Sequence, residues 1–362
     1  MARARLLLIP IVAGVLAAPS AQGADAGRWV RMAATPTKSE YYQGMASDRA
    51  GHLFFDGFTV GGYRTDLALA EQARSENLIP LGEPFNHIGD WTFDPGSGGR
   101  LILPLECYQV GAPNGGNTCG QGAFGVADPV TMTWQYRVLL DQADIAKAMW
   151  AEVSPDGTLI WTSSGADLLA YATADVNPAN AGTATIHPVR RLARAVPPSG
   201  ITGAVFDGAR LLVAGQAAGP FQIWSIDLAS GARRLETQQV WAGESEGLDR
   251  VDALGGELHW QVQPLAIGQR PTFGTGHGEV VSFVRRADAR IRLRLTRRTK
   301  TRVTVAATLR FLGRDHPLAG ARVTLGRSRA TTDRRGQAVL RRARGPAVAR
   351  KLPLRAGRLA VS

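Results

Sequence analysis

Ala204-Val205-Phe206-Asp207-Gly208-Ala209-Arg210-Leu211-Leu212-Val213 is an apolar run, an Asp-Gly turn and a second apolar run, the pattern of two antiparallel strands joined by a tight hairpin. Four other stretches repeat it. They are Met45-Ala46-Ser47-Asp48-Arg49-Ala50-Gly51-His52-Leu53-Phe54-Phe55, then Trp91-Thr92-Phe93-Asp94 with Gly99-Arg100-Leu101-Ile102-Leu103, then Val153-Ser154-Pro155-Asp156-Gly157-Thr158-Leu159-Ile160-Trp161, and last Arg250-Val251-Asp252-Ala253-Leu254-Gly255-Gly256-Glu257-Leu258-His259-Trp260. The turn aspartates are 46, 62, 51 and 45 residues apart, near the about 40–50 residues of a four-stranded propeller blade. The long second interval contains a loop bracketed by two cysteines. Asp at such a turn bonds its own backbone, so Asp48, Asp94, Asp156 and Asp207 are expected to be structural.

Third strands are expected at Leu168-Leu169-Ala170-Tyr171-Ala172, Phe221-Gln222-Ile223-Trp224-Ser225-Ile226-Asp227-Leu228 and Val280-Val281-Ser282-Phe283-Val284. Fourth strands are expected at Leu78-Ile79-Pro80-Leu81, Tyr136-Arg137-Val138-Leu139-Leu140, His187-Pro188-Val189 and Glu236-Thr237-Gln238-Gln239-Val240-Trp241. The fifth unit lacks one, and Arg28-Trp29-Val30-Arg31-Met32 supplies it from the other end of the chain. Such closure removes the exposed edges of an open sheet. On these repeats residues 28–286 resemble the secreted five-bladed propellers described as phytase-like, gluconolactonase-like or strictosidine-synthase-like. The resemblance implies an architecture, because one fold hosts many activities.

The ends of the chain read differently. Residues 1–23 have the form of a secretory signal, with Arg3 and Arg5 before the apolar run from Leu6 to Leu16 and small residues at Ala21-Gln22-Gly23. The run is shorter than the about 20 residues of a spanning helix, so export to the extracellular or envelope side is expected rather than an integral membrane protein. Cys107 and Cys119 are the two cysteines. In an oxidising compartment they are read as a disulfide, since a thiol metal site lacks a neighbouring His or further Cys.

Of the 42 Lys and Arg residues, 23 lie from Arg285 onward, against three acids there. The formal net charge of +12 therefore divides into an acidic body and a basic tail, which excludes a uniformly basic nucleic-acid binder. Leu318-Ala319-Gly320-Ala321-Arg322-Val323-Thr324-Leu325 and Thr331-Thr332-Asp333-Arg334-Arg335-Gly336-Gln337-Ala338-Val339-Leu340 resemble a hairpin of bacterial immunoglobulin-like and carboxypeptidase-regulatory-like β-sandwich modules. The expected fold class is all-β: a propeller over 24–286 and a small basic sandwich over 287–362. The tail suits an anionic envelope polymer or the acidic ring. Its scarcity of aromatic residues speaks against nucleic acid.

Ligands of a propeller sit at the channel mouth, and residues shortly before each turn Asp are expected there: Gln43, His87, Asp90, Trp150, Glu152, Thr202, Glu246 and Asp249. Converging carboxylates repel one another unless a cation or raised pKa values relieve them. Two readings follow. In one, Gln43, Trp150 and Thr202 help bind a small molecule or extracellular polymer without catalysis. In the other, Asp90, Glu152 and Glu246 hold Ca²⁺ or another divalent ion and His87 is the general base of a hydrolase or lactonase. Glu106 is expected to form a rim salt bridge, and His52 and His259 to be packing residues. Gly243-Glu244-Ser245-Glu246-Gly247 fits the G-x-S-x-G elbow, yet the strand-to-helix setting that strains such a serine is missing. Gly274-Thr275-Gly276-His277-Gly278 is read as a connection.

Overall fold

The computed structural model of the chain describes residues 29–361 other than 42, 58–59, 110, 113–115, 183, 217–219, 241–242, 255, 265–277, 286–288, 312–313, 342–344 and 352–356. The signal segment, Arg28, Trp241, positions 274–277 and the expected domain boundary at 286–287 lie outside the described residues.

The apolar runs form strands whose two faces are both buried. Pleating sends Leu53 and Phe55 to one side of strand His52–Asp56 and Phe54 to the other. Likewise Leu211 and Val213 of Arg210–Gly215 face away from Leu212 and Ala214. This explains why second strands read as unbroken hydrophobic runs. Five sheets result, antiparallel apart from one short pairing in the second. The first holds Met45–Ser47, His52–Asp56, Gly62–Asp66 and Glu71–Ser75. In the second, His87–Ile88 and Thr92–Asp94 both pair Arg100–Glu106, followed by Ala123–Asp128 and Thr133–Leu140. The third holds Glu152–Val153, Leu159–Ser164, Asp167–Ala172 and Arg190–Leu192, and the fourth Gly203–Asp207, Arg210–Gly215, Phe221–Asp227 and Arg233–Gln239. The fifth holds Gly243–Val251, Glu257–Pro264 and Glu279–Arg285, with Trp29–Pro36 as its outermost strand.

These sheets form a closed β-propeller. Each neighbouring pair shares an apolar core, and the last, built on Tyr41, Met45, Phe55, Val251 and Val280, joins the fifth sheet to the first. The inner strands touch in the same cycle. They approach so closely that a Cβ at Gly89 would stand 2.0 Å from the Met149 carbonyl, and one at Gly247 would stand 2.3 Å from the Met45 nitrogen.

Two fourth strands differ from expectation. Residues 78–81 are a loop with Leu78 and Ile79 buried and Leu81 exposed, and the outer strand is Glu71–Ser75. Residues 187–189 precede the true outer strand Arg190–Leu192, while Thr185–Ile186 crosses to pair in parallel with Thr133–Leu140. Outer strands need little apolar content because water covers their free edges.

The tail forms two further sheets. One has Arg302–Phe311 at its centre, paired with Arg292–Arg298, Arg314–Pro317 and Gln337–Arg341. The other runs Ser328–Thr331, Arg322–Leu325, Gly345–Arg350, Gly357–Val361. Their shared core, with Ile291, Val305, Val323 and Leu340, is continuous with Val30 and Val284 of the fifth propeller sheet. The T-T-D segment is a lock: Thr332 Oγ1 donates to the Leu318 carbonyl at 2.6 Å and accepts from the Ala321 N–H at 2.8 Å. Cys107 and Cys119 are disulfide-bonded with Cα atoms 5.6 Å apart. Among the described residues no helix is long and apolar enough to cross a membrane.

Candidate functional site

Strand register places one residue of each of four sheets at the same end of the ring. His87 pairs with Glu106, the last residue of its second strand, and the Gln43 N–H donates to the carbonyl of Asp56, the last residue of its own. Trp150 lies beside Ser163, to which its Nε1 donates at 2.7 Å, and the Thr202 N–H donates to the Ala214 carbonyl at 2.8 Å. The chain therefore brings Gln43, His87, Trp150 and Thr202 to a common rim. Trp150 is fully buried and serves as packing. Thr202 Oγ1 is 2.7 Å from Ser245 Oγ, which also accepts from Trp260 Nε1 at 3.0 Å. That serine lies inside strand Gly243–Val251, not on an elbow.

His87 Nδ1 is 3.1 Å from Glu106 Oε1, and Lys147 Nζ is 3.6 Å from Glu106 Oε2. The imidazole also packs against the Tyr108 ring, with centroids 5.2 Å apart. This buried pair sits beside the disulfide, and Glu106 makes the salt bridge expected of it. Burial and the charges of Glu106 and Glu244 push the Tyr108 phenol up, so the fifth sheet contributes an acid to the same rim.

Below the rim the three expected metal ligands separate. Asp90 is the hub of the ring. Its Oδ1 accepts from the Met45 N–H at 3.0 Å, and its Oδ2 accepts from Ala204 at 3.0 Å and Leu248 at 3.4 Å. Its backbone bonds Met149 and Ala151, so one residue of the second sheet ties all five inner strands. Burial pushes its carboxyl well above the usual range, against the pull of those amides. Glu152 lies toward the turn end, accepting from Thr92 Oγ1 at 2.6 Å, the Phe206 N–H at 3.2 Å and Arg49 Nη2 at 3.4 Å. Burial lifts it to about 7, opposed by Arg49 and Thr92. Buried Asp249 faces it and is pushed well up by burial and by the Glu152 charge.

Glu246 remains near the mouth, where the sequence reading overlooked its partner. Asp56 is fully buried, and among the described residues neither of its carboxylate oxygens has a hydrogen-bond partner. Burial pushes it well above the usual carboxylate range, while the nearby N–H groups of Gly44 and Asp56 itself pull down without reaching bonding geometry. Glu246 is raised well above its usual value by burial, then by the charges of Glu244, Asp56 and Asp90. The missed signal is an acid closing an apolar second strand. It occurs twice in register, as Leu53-Phe54-Phe55-Asp56 and as Leu103-Pro104-Leu105-Glu106.

Among the described residues, the one trio of metal-type side chains with ligand atoms mutually within 4.8 Å is Asp141, Asp144 and His187. It lies away from the channel and is already ion-paired, His187 Nδ1 to Asp144 at 3.1 Å and Arg191 to Asp144 at 3.0 Å.

No protein-family model matches the chain, and no curated protein matches it. Among solved structures it is similar to the PQQ-bound aldose sugar dehydrogenase of Streptomyces coelicolor, at 11% identity and TM-score 0.37 over 71% of this chain and 98% of that one. It is also similar to a chain of a nidogen/laminin complex, at 12% and 0.41 over 84% and 90%. A luciferin-regenerating enzyme matches at 11% and 0.40 over 70% and 95%. At such identities the likeness concerns fold and is silent on substrate.

Proposed function

We propose that this is an exported, envelope-associated propeller protein that binds a small hydrophilic ligand, or the end of a polymer, at the rim described above. The observation that carries this reading is Asp56, a buried carboxyl whose two oxygens lack hydrogen-bond partners among the described residues, beside the raised carboxyl of Glu246. Such oxygens are costly to bury and are satisfied by a cation or by ligand hydroxyls. Tyr108, His87 and Glu106 add a ring face and polar groups suited to a polyol. The leader reading of residues 1–23, the disulfide and the cationic tail support export and attachment.

The second reading is the divalent-metal hydrolase or lactonase, and Asp56 favours a revised ligand set for it. Asp90 and Glu152 already accept from backbone amides and neighbouring side chains, which leaves them ill fitted as ligands. Asp56 and Glu246, with Glu244 near, fit Ca²⁺ in donor chemistry. Bound there, the ion would polarise a carbonyl or phosphoryl oxygen. His87, whose Nδ1 lies 3.1 Å from Glu106 Oε1, is then the residue placed to hold or move a proton.

Metal analysis of the purified protein, with melting before and after EDTA and in a panel of sugars, tests both. A stabilising ligand whose effect is lost in Asp56→Asn or Glu246→Gln, the variants still folding, supports the site. Stoichiometric Ca²⁺ lost with those variants favours the second reading. A chain that holds no metal and responds to no sugar would sink both.

A further inference from the structure

A second site lies away from the channel rim, where the first and fifth propeller sheets meet the tail. A cavity of about 330 Å³ opens there, at the small end of the roughly 300–1,000 Å³ of ligand pockets. Leu67, Leu69, Val251 and Leu254 supply its apolar wall. Leu69 adopts φ 64°, a left-handed backbone that is strained for a residue of this kind. The Asp66 carboxylate holds that turn by accepting from the N–H groups of Ala68 at 2.8 Å and Ala70 at 2.9 Å. The strain presents two partly exposed leucines to the cavity.

The polar groups are few and distinct. Arg314, exposed at the start of strand Arg314–Pro317, lines the cavity from the tail and has no ion-pair partner among the described residues. His259 and Ser282 stand within the wall, and both are almost completely buried. His259 Nδ1 is 3.1 Å from Ser282 Oγ. Its Nε2 has no hydrogen-bond partner among the described residues and is 3.7 Å from Glu257 Oε2, too long for a bond. Burial holds this imidazole neutral, its pKa lowered to about 4, so among the described lining residues the one fixed charge is the guanidinium at the rim.

We infer that this interdomain cavity binds a small amphipathic monocarboxylate, its aliphatic chain among the leucines and its head on Arg314. An apolar wall removes a short alkyl chain from water, and a lone guanidinium at the edge matches a carboxylate. Because the wall comes from the propeller and the cation from the tail, such a ligand bridges the two.

Calorimetry of the full chain with decanoate, and with decanol as the uncharged counterpart, tests this. Decanoate is expected to bind saturably, one per chain. Arg314→Gln should weaken decanoate at least tenfold and leave decanol unchanged. Leu254→Trp should weaken both by filling the cavity, and Ala68→Trp, on the exposed turn, does the same where the first variant fails to fold. No saturable binding of decanoate, or equal binding by all variants, would overturn the assignment.

Discussion

A buried carboxyl does different work according to what donates to it. Asp90 has three backbone donors and holds the inner strands together, whereas the oxygens of Asp56 have no hydrogen-bond partner among the described residues. Glu152 is intermediate, and the upward direction of its shift predicts a pH-dependent stability of the ring. Its folded pKa of about 7 lies above the ordinary carboxylate value of about 4.5. Between those values the unfolded chain is ionised while the folded chain keeps the proton, so the stability this group contributes falls as pH rises through the window. Asp249, shifted the same way, adds to the trend. The melting temperature should therefore rise as pH is lowered from 7.5 to 5, and Glu152→Gln should flatten the curve. A parent and variant with superimposable pH profiles would remove Glu152 from that role. Below the window Asp48 and Asp128 act in the opposite sense, because amide donors hold both under the usual carboxylate range.

Among the elements, the inner strands are limited by how closely backbones can approach. Gly89 has no room for a methyl group, so Gly89→Ala is expected to cost about 3 kcal/mol or more by overpacking. Urea unfolding reads this directly, and an unchanged midpoint would mean that the second and third sheets are not so tightly apposed. The same packing decides what the sequence discloses. Inner, second and third strands have both faces between sheets, and their apolar runs mark them clearly. Glu71–Ser75 and Arg190–Leu192 lie at free edges, carry mixed polar residues and lack that signal, which is why Leu78-Ile79 and His187-Pro188-Val189 drew attention instead. The rim residues Gln43, His87 and Thr202 were legible because they lie five to seven residues before the turn aspartates. Asp56 was not, since its meaning depends on Glu246, which the fifth sheet brings near it from another part of the chain. The fates of Asp90 and Glu152 depend on amides of other sheets, which spacing does not reveal.

For the whole molecule, the separation of charge is the dominant feature. Arg294, Arg297 and Arg298 stand exposed on strand Arg292–Arg298, in a tail with few acids to neutralise them. The full chain should be retained on a sulfated polysaccharide column and released by salt, as screened surface charge requires. Replacing those three arginines with glutamine should lower the salt needed, and unchanged elution would place polyanion binding elsewhere. Closure of the ring bears on a different matter, the order in which the chain acquires its structure. Trp29 pairs with Arg285, so the first strand of the propeller waits for the last. Contacts this distant in sequence form slowly, and no nascent chain still lacking its third strand of the fifth sheet can complete the circle. The ring therefore closes only after Arg285 has been made, whereas the covalent loop at Cys107 and Cys119, a separation of 12 residues, needs none of the later sheets.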